Sequence, residues 1–352
     1  MANLILILIF PLFPLWATGE VINASVENKN VVLENPKDSC TQAGSVCGVD
    51  IKVGEKKPEE EKKFEGHNLF PVDSVFASGV VPIKEGKAPN LKIWAGSSVA
   101  IDVDSGTILH YDDGRKKTQI ASLTKMMTAV LVVENIKNLE EEVIITKEAL
   151  MLPGTKVGCP STGVCPSNRL YVGEKVKATD LLKAMLMNSA NDAATALGIH
   201  IAKSEKEFVK MMNEKAKSLG LKDTNFCTPS GLETDGRESE CYSTAYDIAR
   251  IAAYSLQYEI IWSIMRISEG RFYSCDGKYM HELKNTDMLI ESMPNCLGGK
   301  TGFTPLAGKS LMTGATDPTG KHRIIAVILN DETRWDDMKA LTEWVFTNYK
   351  WQ

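Results

Sequence analysis

Alternation of apolar and polar residues marks strands in two widely separated parts of the chain. Residues 98–103 and 107–111 alternate in this way, and the turn Asp104-Ser-Gly106 lies between them. Two alternating runs around a short glycine turn predict a β-hairpin. Two further strands are predicted at 307–315 and 323–329, separated by a turn that contains proline and glycine.

Between these strands the apolar residues recur every three or four positions, as they do in amphipathic helices. A first helix is predicted at 121–134, and Thr179 is the expected N-cap of a second that runs through Met187. The remaining predicted helices are 191–202, 205–218 and 336–349. This order predicts an α+β fold, an antiparallel sheet flanked by helices with a large helical insertion.

The N-terminus carries an apolar run, Leu4–Trp16, whose 13 residues are few for a bilayer span. Ala17-Thr-Gly19 follows with the small-x-small pattern of a cleavage site. We interpret 1–19 as a signal peptide or N-terminal anchor and expect an exported, periplasmic or otherwise extracytoplasmic protein. Membrane contact is expected only through this segment, if it remains uncleaved.

A mixed charge run, Glu55–Lys63, cannot bury a core and indicates a surface linker over 20–90. The folded domain is then expected at 91–352. The formal net charge of −5 argues against nucleic acid as a main partner.

Eight cysteines favour an oxidising compartment. They fall into four pairs of neighbours along the sequence: Cys40 with Cys47, Cys159 with Cys165, Cys227 with Cys241, and Cys275 with Cys296. Eight cysteines allow 105 pairings, and sequential pairing is our prediction because each closed loop is short. Reduced, buried thiols are the alternative. Metal binding is not expected, because no Cys-x-x-Cys occurs and the five histidines are scattered.

Three short motifs carry the candidate chemistry: Ser122-Leu-Thr-Lys125, Ser189-Ala-Asn191 and Lys300-Thr-Gly302, about 65 and 110 residues apart. Spacing of three places Ser122 and Lys125 on one face of a helix. A serine hydroxyl needs an adjacent base to act as a nucleophile. Lys125 can be that base if burial and a second cation, such as Lys300, lower its pKa.

The other two motifs supply groups for proton transfer and substrate binding. Ser189 can relay a proton to a leaving amine, and the Asn191 amide can hold a peptide group. Lys300 and Thr301 can bind a carboxylate, and Gly302 allows close backbone approach.

The backbone N–H groups of Ser122 and Phe303 are candidate donors to an oxyanion. Each motif alone also occurs as a cap, a loop or a glycine-rich turn. The interpretation therefore depends on all three occurring together.

Together the motifs make the chain resemble the serine-type D-alanyl-D-alanine carboxypeptidases, the low-molecular-mass penicillin-binding proteins. The matching stretches are Ala121–Thr128, Gly173-Glu174, Leu181-Leu182, Asn188–Ala194, Gly231-Leu232, Ser243–Asp247, Asn285-Thr286, Gly299–Thr304, Ala307-Gly308 and Arg334–Asp337. The resemblance covers about residues 90–350, so 91–352 would be the catalytic domain, of the DD-peptidase/β-lactamase type.

The resemblance implies that Ser122 attacks the terminal D-Ala–D-Ala bond of a peptidoglycan stem peptide, forms an acyl-enzyme and releases D-alanine. Lys125 would be the base, with Ser189 and Lys300 as a proton relay and Asn191 as a substrate contact. Thr301 and Arg334 would bind the terminal carboxylate. β-Lactams would acylate Ser122, and no cofactor or metal is expected.

Two departures from the family pattern are expected to matter. No β-rich second domain is expected after the closing helix. An insert at Gly158–Cys165 is unusual and is predicted to shape a loop over the cleft.

Two other functions remain open. A class A β-lactamase would need a second carboxylate for deacylation, and no Glu-x-x-Leu-Asn stretch occurs between Ser122 and Lys300. A non-catalytic sensor of β-lactams or peptidoglycan is the other alternative. Stable acylation with slow turnover would favour the sensor.

Overall fold

A computed structural model describes residues 80–86, 89–158 and 168–352. Its strands are β1 (Pro82–Lys84), β2 (Ser97–Asp102), β3 (Ile108–Asp112), β4 (Glu142–Ile144), β5 (Lys175–Lys177), β6 (Glu269–Tyr273), β7 (Met280–Lys284), β8 (Cys296–Thr304), β9 (Gly308–Thr316), β10 (Arg323–Leu329) and β11 (Tyr349–Trp351). Its helices are α1 (Lys125–Asn135), α2 (Lys147–Leu150), α3 (Ala178–Met187), α4 (Asn191–Ala202), α5 (Glu205–Ser218), α6 (Ala245–Ser255), α7 (Glu259–Met265), α8 (Leu289–Ser292) and α9 (Arg334–Asn348).

The central sheet is five-stranded and antiparallel, in the order β3-β2-β10-β9-β8. β10 lies in the middle, where Val327 pairs with Val99 of β2 and with Met312 of β9. β8 lies at the edge, so one side of its backbone faces no other strand of this sheet. An edge strand leaves alternate backbone groups available to an added chain. This strand carries the Lys300-Thr-Gly302 motif.

Helices cover both faces of the sheet, which explains why β2 is buried along its whole length. Val99 and Val327 face the core beneath the helical insertion. Ala100 and Ala326 face the opposite core, together with Leu341 of α9. Alternate residues of a strand point to opposite faces, so the sheet forms two separate cores. The predicted α+β fold with a helical insertion is therefore confirmed.

Several element boundaries follow the sequence pattern closely. The helices predicted at 191–202 and 205–218 are α4 and α5. Ser204 caps α5 by accepting a hydrogen bond from the Glu207 N–H at 3.2 Å. The predicted N-cap Thr179 is wrong: α3 begins at Ala178 with Lys177 at the cap, because β5 runs directly into the helix.

The folded part reaches back into the predicted linker, because Pro82–Lys84 pairs with Tyr349–Trp351. The apolar run, the charge run, Cys40 and Cys47 lie outside the described residues, so the boundary at 19 and the linker before residue 80 stay predictions. Within the described ranges, no helix is both long enough and apolar enough to cross a bilayer.

Cysteine pairing follows the sequential prediction at one place and departs from it at another. Cys227 and Cys241 form a disulfide with a Cα–Cα distance of 5.5 Å. The predicted Cys275–Cys296 bond is wrong, because both residues are free thiols. Cys275 is exposed on the turn between β6 and β7, whereas Cys296 is buried in the core at the start of β8. Cys159 and Cys165, with most of the insert, lie outside the described residues.

Candidate active site

Ser122 lies in a 3₁₀ turn, Ala121–Thr124, that leads directly into α1. Ala121 adopts a positive φ of 47°, a conformation that costs free energy for a residue other than glycine. The Lys125 Nζ lies 2.8 Å from Ser122 Oγ. The backbone of β8 packs against this turn, since a Cβ on Gly302 would lie 2.9 Å from the Ile120 carbonyl oxygen. The turn thus places the hydroxyl beside the edge strand.

Lys125 is fully buried. Besides Ser122, its Nζ donates to the Asn191 Oδ1 at 2.8 Å and to the Ser230 carbonyl at 2.7 Å. Burial, and then the positive charge of Lys300, hold the pKa of Lys125 well below its usual value, while Asp192 acts in the opposite direction. A neutral amine here can donate to Asn191 and Ser230 and offer its lone pair to the Ser122 hydroxyl. This arrangement suits a general base.

The second buried lysine, Lys300, donates to Ser189 Oγ at 2.9 Å and to the Thr301 carbonyl at 3.1 Å. Burial lowers its pKa to about 7; the Asp287 carboxylate opposes this shift and Arg334 adds to it. Ser189 lies in the short connection between α3 and α4 and has a positive φ of 58°. A lysine that titrates near neutrality beside a hydroxyl can supply or accept a proton.

The amide of Asn191 is used by the protein at both ends. Its Oδ1 accepts from Lys125, and its Nδ2 donates to the Pro153 carbonyl at 3.0 Å. Its backbone N–H donates to the Thr155 carbonyl at 2.8 Å. Nδ2 carries a second N–H and Oδ1 a second lone pair, so the amide can still bind a substrate peptide group.

The remaining predicted site residues lie on or beside β8. The Thr301 hydroxyl lies 2.7 Å from that of Thr286, and the Phe303 side chain is 59% exposed. Arg334 lies beneath the strand, where its Nη1 donates to the carbonyls of Gly302 at 3.1 Å and Ser310 at 3.2 Å. Its Nε is buried with no hydrogen-bond partner among the described residues. The structure thus brings all nine predicted catalytic and binding residues into one region.

Sequence reasoning assigned no role to the loop that completes the lysine's contacts. The Ser230 carbonyl binds Lys125, and Gly231, at φ 82°, packs so closely that a Cβ would lie 1.9 Å from the Ala121 carbonyl oxygen. Gly231 belongs to a stretch that matched the family pattern. That match was the available signal, but a backbone carbonyl has no signature in sequence.

Asp192 also received no role, although it follows Asn191 directly. It accepts hydrogen bonds from the Val157 N–H at 3.1 Å and the Ala193 N–H at 2.9 Å. Burial raises its pKa to about 6, against the effect of these hydrogen bonds. Its contact with Val157 fixes the segment that leads to the insert.

Comparison with known proteins gives consistent results. A family model described as D-alanyl-D-alanine carboxypeptidase matches residues 84–333. The D-alanyl-D-alanine carboxypeptidase DacF of Bacillus subtilis (strain 168) is 32% identical over 284 residues, 78% of this chain and 68% of the relative. The carboxypeptidase DacB2 of Mycobacterium tuberculosis is 30% identical over 274 residues, 76% of this chain and 86% of the relative.

Solved structures are similar over the same part of the chain. A D-alanyl-D-alanine carboxypeptidase from Mycobacterium tuberculosis H37Rv matches with a TM-score of 0.66 at 27% identity, over 75% of this chain and 95% of that one. The Streptomyces K15 DD-transpeptidase matches with a TM-score of 0.65 at 25% identity, over 74% of this chain and 100% of that one.

Proposed function

The chain belongs to the D-alanyl-D-alanine carboxypeptidase family, and from this membership we propose how its own residues carry out the reaction. The protein is a serine-type carboxypeptidase that hydrolyses the terminal D-Ala–D-Ala bond of peptidoglycan stem peptides, and β-lactams acylate it. The observation that carries the proposal is the 2.8 Å contact between Lys125 Nζ and Ser122 Oγ in a buried network.

Acylation begins when Ser122 Oγ attacks the carbonyl carbon of the penultimate D-alanine. Its proton passes to the neutral Lys125 amine as the tetrahedral intermediate forms. Ser189 then gives its hydroxyl proton to the leaving nitrogen and regains one from Lys300, 2.9 Å away. The C–N bond breaks, D-alanine leaves, and an ester on Ser122 remains.

Deacylation uses the same groups on a water molecule. Before deacylation, the proton that Lys125 took from Ser122 is returned to Lys300, so that Lys125 is neutral and Lys300 is charged again. Lys125 then removes a proton from the water, whose oxygen attacks the ester carbon, and gives that proton to the Ser122 oxygen as it leaves. The backbone N–H groups of Ser122 and Phe303 donate to the oxyanion in both steps. The product is the stem peptide shortened by one D-alanine.

Substrate orientation comes from β8 and its surroundings. An extended peptide adds to the open side of this edge strand through backbone hydrogen bonds. Its terminal carboxylate is bound by Thr301, with Arg334 and Lys300 supplying positive charge. Asn191 contacts the peptide group next to the scissile bond.

A β-lactamase is a weaker candidate. In the part of the chain that the structure describes, no carboxylate hydrogen-bonds to Ser122 Oγ or Lys125 Nζ. The buried Asp192 is engaged by backbone N–H groups instead. Among the described residues, no carboxylate thus contacts these two atoms directly.

The substrate determines where the protein works. Peptidoglycan is extracytoplasmic, so the protein acts there, and the apolar run Leu4–Trp16 serves as its export signal or, uncleaved, as its membrane contact. An oxidising compartment keeps the Cys227–Cys241 disulfide formed.

The test measures D-alanine release from a peptide ending in D-Ala–D-Ala, and labelling by a fluorescent penicillin, for wild type and Ser122→Ala. Wild type alone should release D-alanine and become labelled. Circular dichroism of Ser122→Ala controls for folding. Absence of release from folded, oxidised wild type contradicts the carboxypeptidase assignment, and labelling without release would favour the sensor.

A further inference from the structure

A single loop, residues 228–240, lies between the two bonded cysteines and contacts the active site at three points. We call it the disulfide loop. Its Ser230 carbonyl accepts a 2.7 Å hydrogen bond from Lys125, and its Gly231 packs on the Ala121 backbone. Its Glu233 carboxylate accepts a hydrogen bond from the Thr304 hydroxyl at the end of β8. The loop therefore joins the base, the nucleophile's turn and the substrate strand.

Other hydrogen bonds also hold the disulfide loop, among them those from Thr128 Oγ1 to the Pro229 carbonyl at 2.7 Å and from Gln119 Nε2 to the Glu238 carbonyl at 3.0 Å. The loop has no strand and a single 3₁₀ turn, Glu238–Glu240, and Asp235, Gly236 and Arg237 are exposed. A cavity of about 20 Å³, the size of one water molecule, lies behind it and is lined by Ala121, Thr124 and both cysteines, among others. Little packing thus holds the exposed part of the loop, whereas Pro229 and Ser230 are buried.

The disulfide restricts this loop at its base. Cys227 and Cys241 are 14 residues apart, and the bond restricts the conformations open to the chain between them. Isolated bridges, Asn225 with Tyr242 and Thr118 with Ser243, lie next to the bond on the side away from the loop. Both cysteines are only half-buried, so a small reductant can reach the sulfur atoms.

We infer that the Cys227–Cys241 disulfide is a redox-sensitive positioning element that keeps the Ser230 carbonyl on Lys125, so that a dithiol reductant slows acylation of Ser122. The inference rests on the proposed function. One thiolate of the dithiol attacks Sγ of either cysteine, and the other cysteine leaves as a thiolate. The second thiol of the reductant then releases the first cysteine and closes its own disulfide. Two electrons pass to the protein, and both cysteines end as thiols.

Reduction alters none of the proposed catalytic side chains, but it frees the disulfide loop. The Ser230 carbonyl then spends less time on Lys125, and the amine is less often directed at the Ser122 hydroxyl. The loss is expected in the acylation step rather than in substrate affinity. The predicted signature is a fall in kcat with a nearly unchanged KM.

The experiment uses the full, oxidised protein and follows Ser122 acylation by a fluorescent penicillin, and D-alanine release, before and after dithiothreitol. Acylation of wild type should slow roughly tenfold and should recover on reoxidation. This factor corresponds to part of the free energy that closure of the loop contributes. The double variant Cys227→Ser/Cys241→Ser should be slow from the start and insensitive to the reductant. Cys275→Ser, which removes an exposed free thiol, should respond as wild type does.

Three results would overturn the inference: wild type unaffected by verified reduction of this bond, a double variant that still responds to dithiothreitol, or a rise in KM alone. Near-ultraviolet circular dichroism of reduced wild type distinguishes a repositioned disulfide loop from an unfolded protein. Unfolding on reduction would also contradict the inference. Should the double variant not fold, Glu233→Ala replaces it. Loss of the hydrogen bond from the Thr304 hydroxyl should make acylation of this variant more sensitive to reduction than acylation of wild type. Failure of the oxidised protein to release D-alanine or to become labelled would instead contradict the proposed function.

Discussion

Lys300 donates a 2.9 Å hydrogen bond to Ser189, a serine whose backbone is in the left-handed region with φ 58°. This contact places a second buried ammonium group in the same region as Lys125, whose pKa it helps to lower. The two lysines thus have different tasks. In the proposed mechanism Lys125 must be neutral to accept a proton, and burial, followed by the positive charge of Lys300, lowers its pKa in this direction.

Removing this charge should shift the pH profile of acylation. In Lys300→Gln the pKa of Lys125 rises, because a positive neighbour is lost. The acidic limb of the acylation rate should therefore move to higher pH, and the rate at neutral pH should fall. The measurement is the rate of labelling by fluorescent penicillin against pH. Lys175→Gln, at an exposed lysine, is the control, and an unshifted limb in Lys300→Gln would refute the coupling.

Gly231 and Gly236 form a matched pair within the disulfide loop. Both have positive φ, 82° and 76°, but a Cβ at Gly231 would lie 1.9 Å from the Ala121 carbonyl, whereas none lies within 4 Å at Gly236. Gly231→Ala should abolish acylation or folding, while Gly236→Ala should cost about 1 kcal/mol from backbone strain alone. Penicillin labelling and urea unfolding test both variants, and equal behaviour would contradict the close packing on the nucleophile's turn.

Asp192 should make folding stability depend on pH in the acidic range. Its folded-state pKa is about 6, above the ordinary value near 4, so the folded protein binds this proton more tightly than the unfolded chain. Stability should therefore fall as pH rises from about 4 to about 6, by about 3 kcal/mol from this group. Asp192→Asn should lose this part of the dependence. Urea unfolding at several pH values measures the difference, and identical slopes for both proteins would contradict the prediction.

Glu174 and His281 form a buried pair, with 2.6 Å between Oε1 and Nε2, in which His281 Nδ1 also lies 2.6 Å from the Asn168 carbonyl. Burial opposes protonation, but these two acceptors outweigh it and raise the pKa of His281. The contribution of His281 to folding stability is therefore complete below its pKa in the unfolded chain, near 6.5. It is lost as pH rises through its pKa in the folded protein.

Breaking this pair should cost about 3 kcal/mol at about pH 6, because a buried charge loses its partner. The variant is Glu174→Gln, and its difference from wild type should shrink at about pH 9. Glu142→Gln, which removes an exposed pair with Lys175, is the matched control and should change stability by less than about 1 kcal/mol. Urea unfolding tests both, and a pH-independent cost for Glu174→Gln would contradict the protonated state of His281.

Local pattern was sufficient for much of this protein. The sequence alone determined α4 and α5 to the residue, the hairpin of β2 and β3, and the Ser122, Ser189 and Lys300 motifs. Helical periodicity and capping are local properties, and catalytic side chains are visible as residue types at a fixed spacing. The predicted N-cap at Thr179 was wrong because strand pairing of β5 with β4 overrode the local capping preference.

Only the tertiary structure decided which groups meet over long distances in the chain. Ser230 contributes a backbone carbonyl to Lys125 from 105 residues away, and a carbonyl has no letter in the sequence. Short spacing suggested a Cys275–Cys296 bond, yet the fold places one thiol on an exposed hairpin and the other in a core. Burial, which lowers the pKa of both lysines, likewise arises only when the helices and sheet pack together.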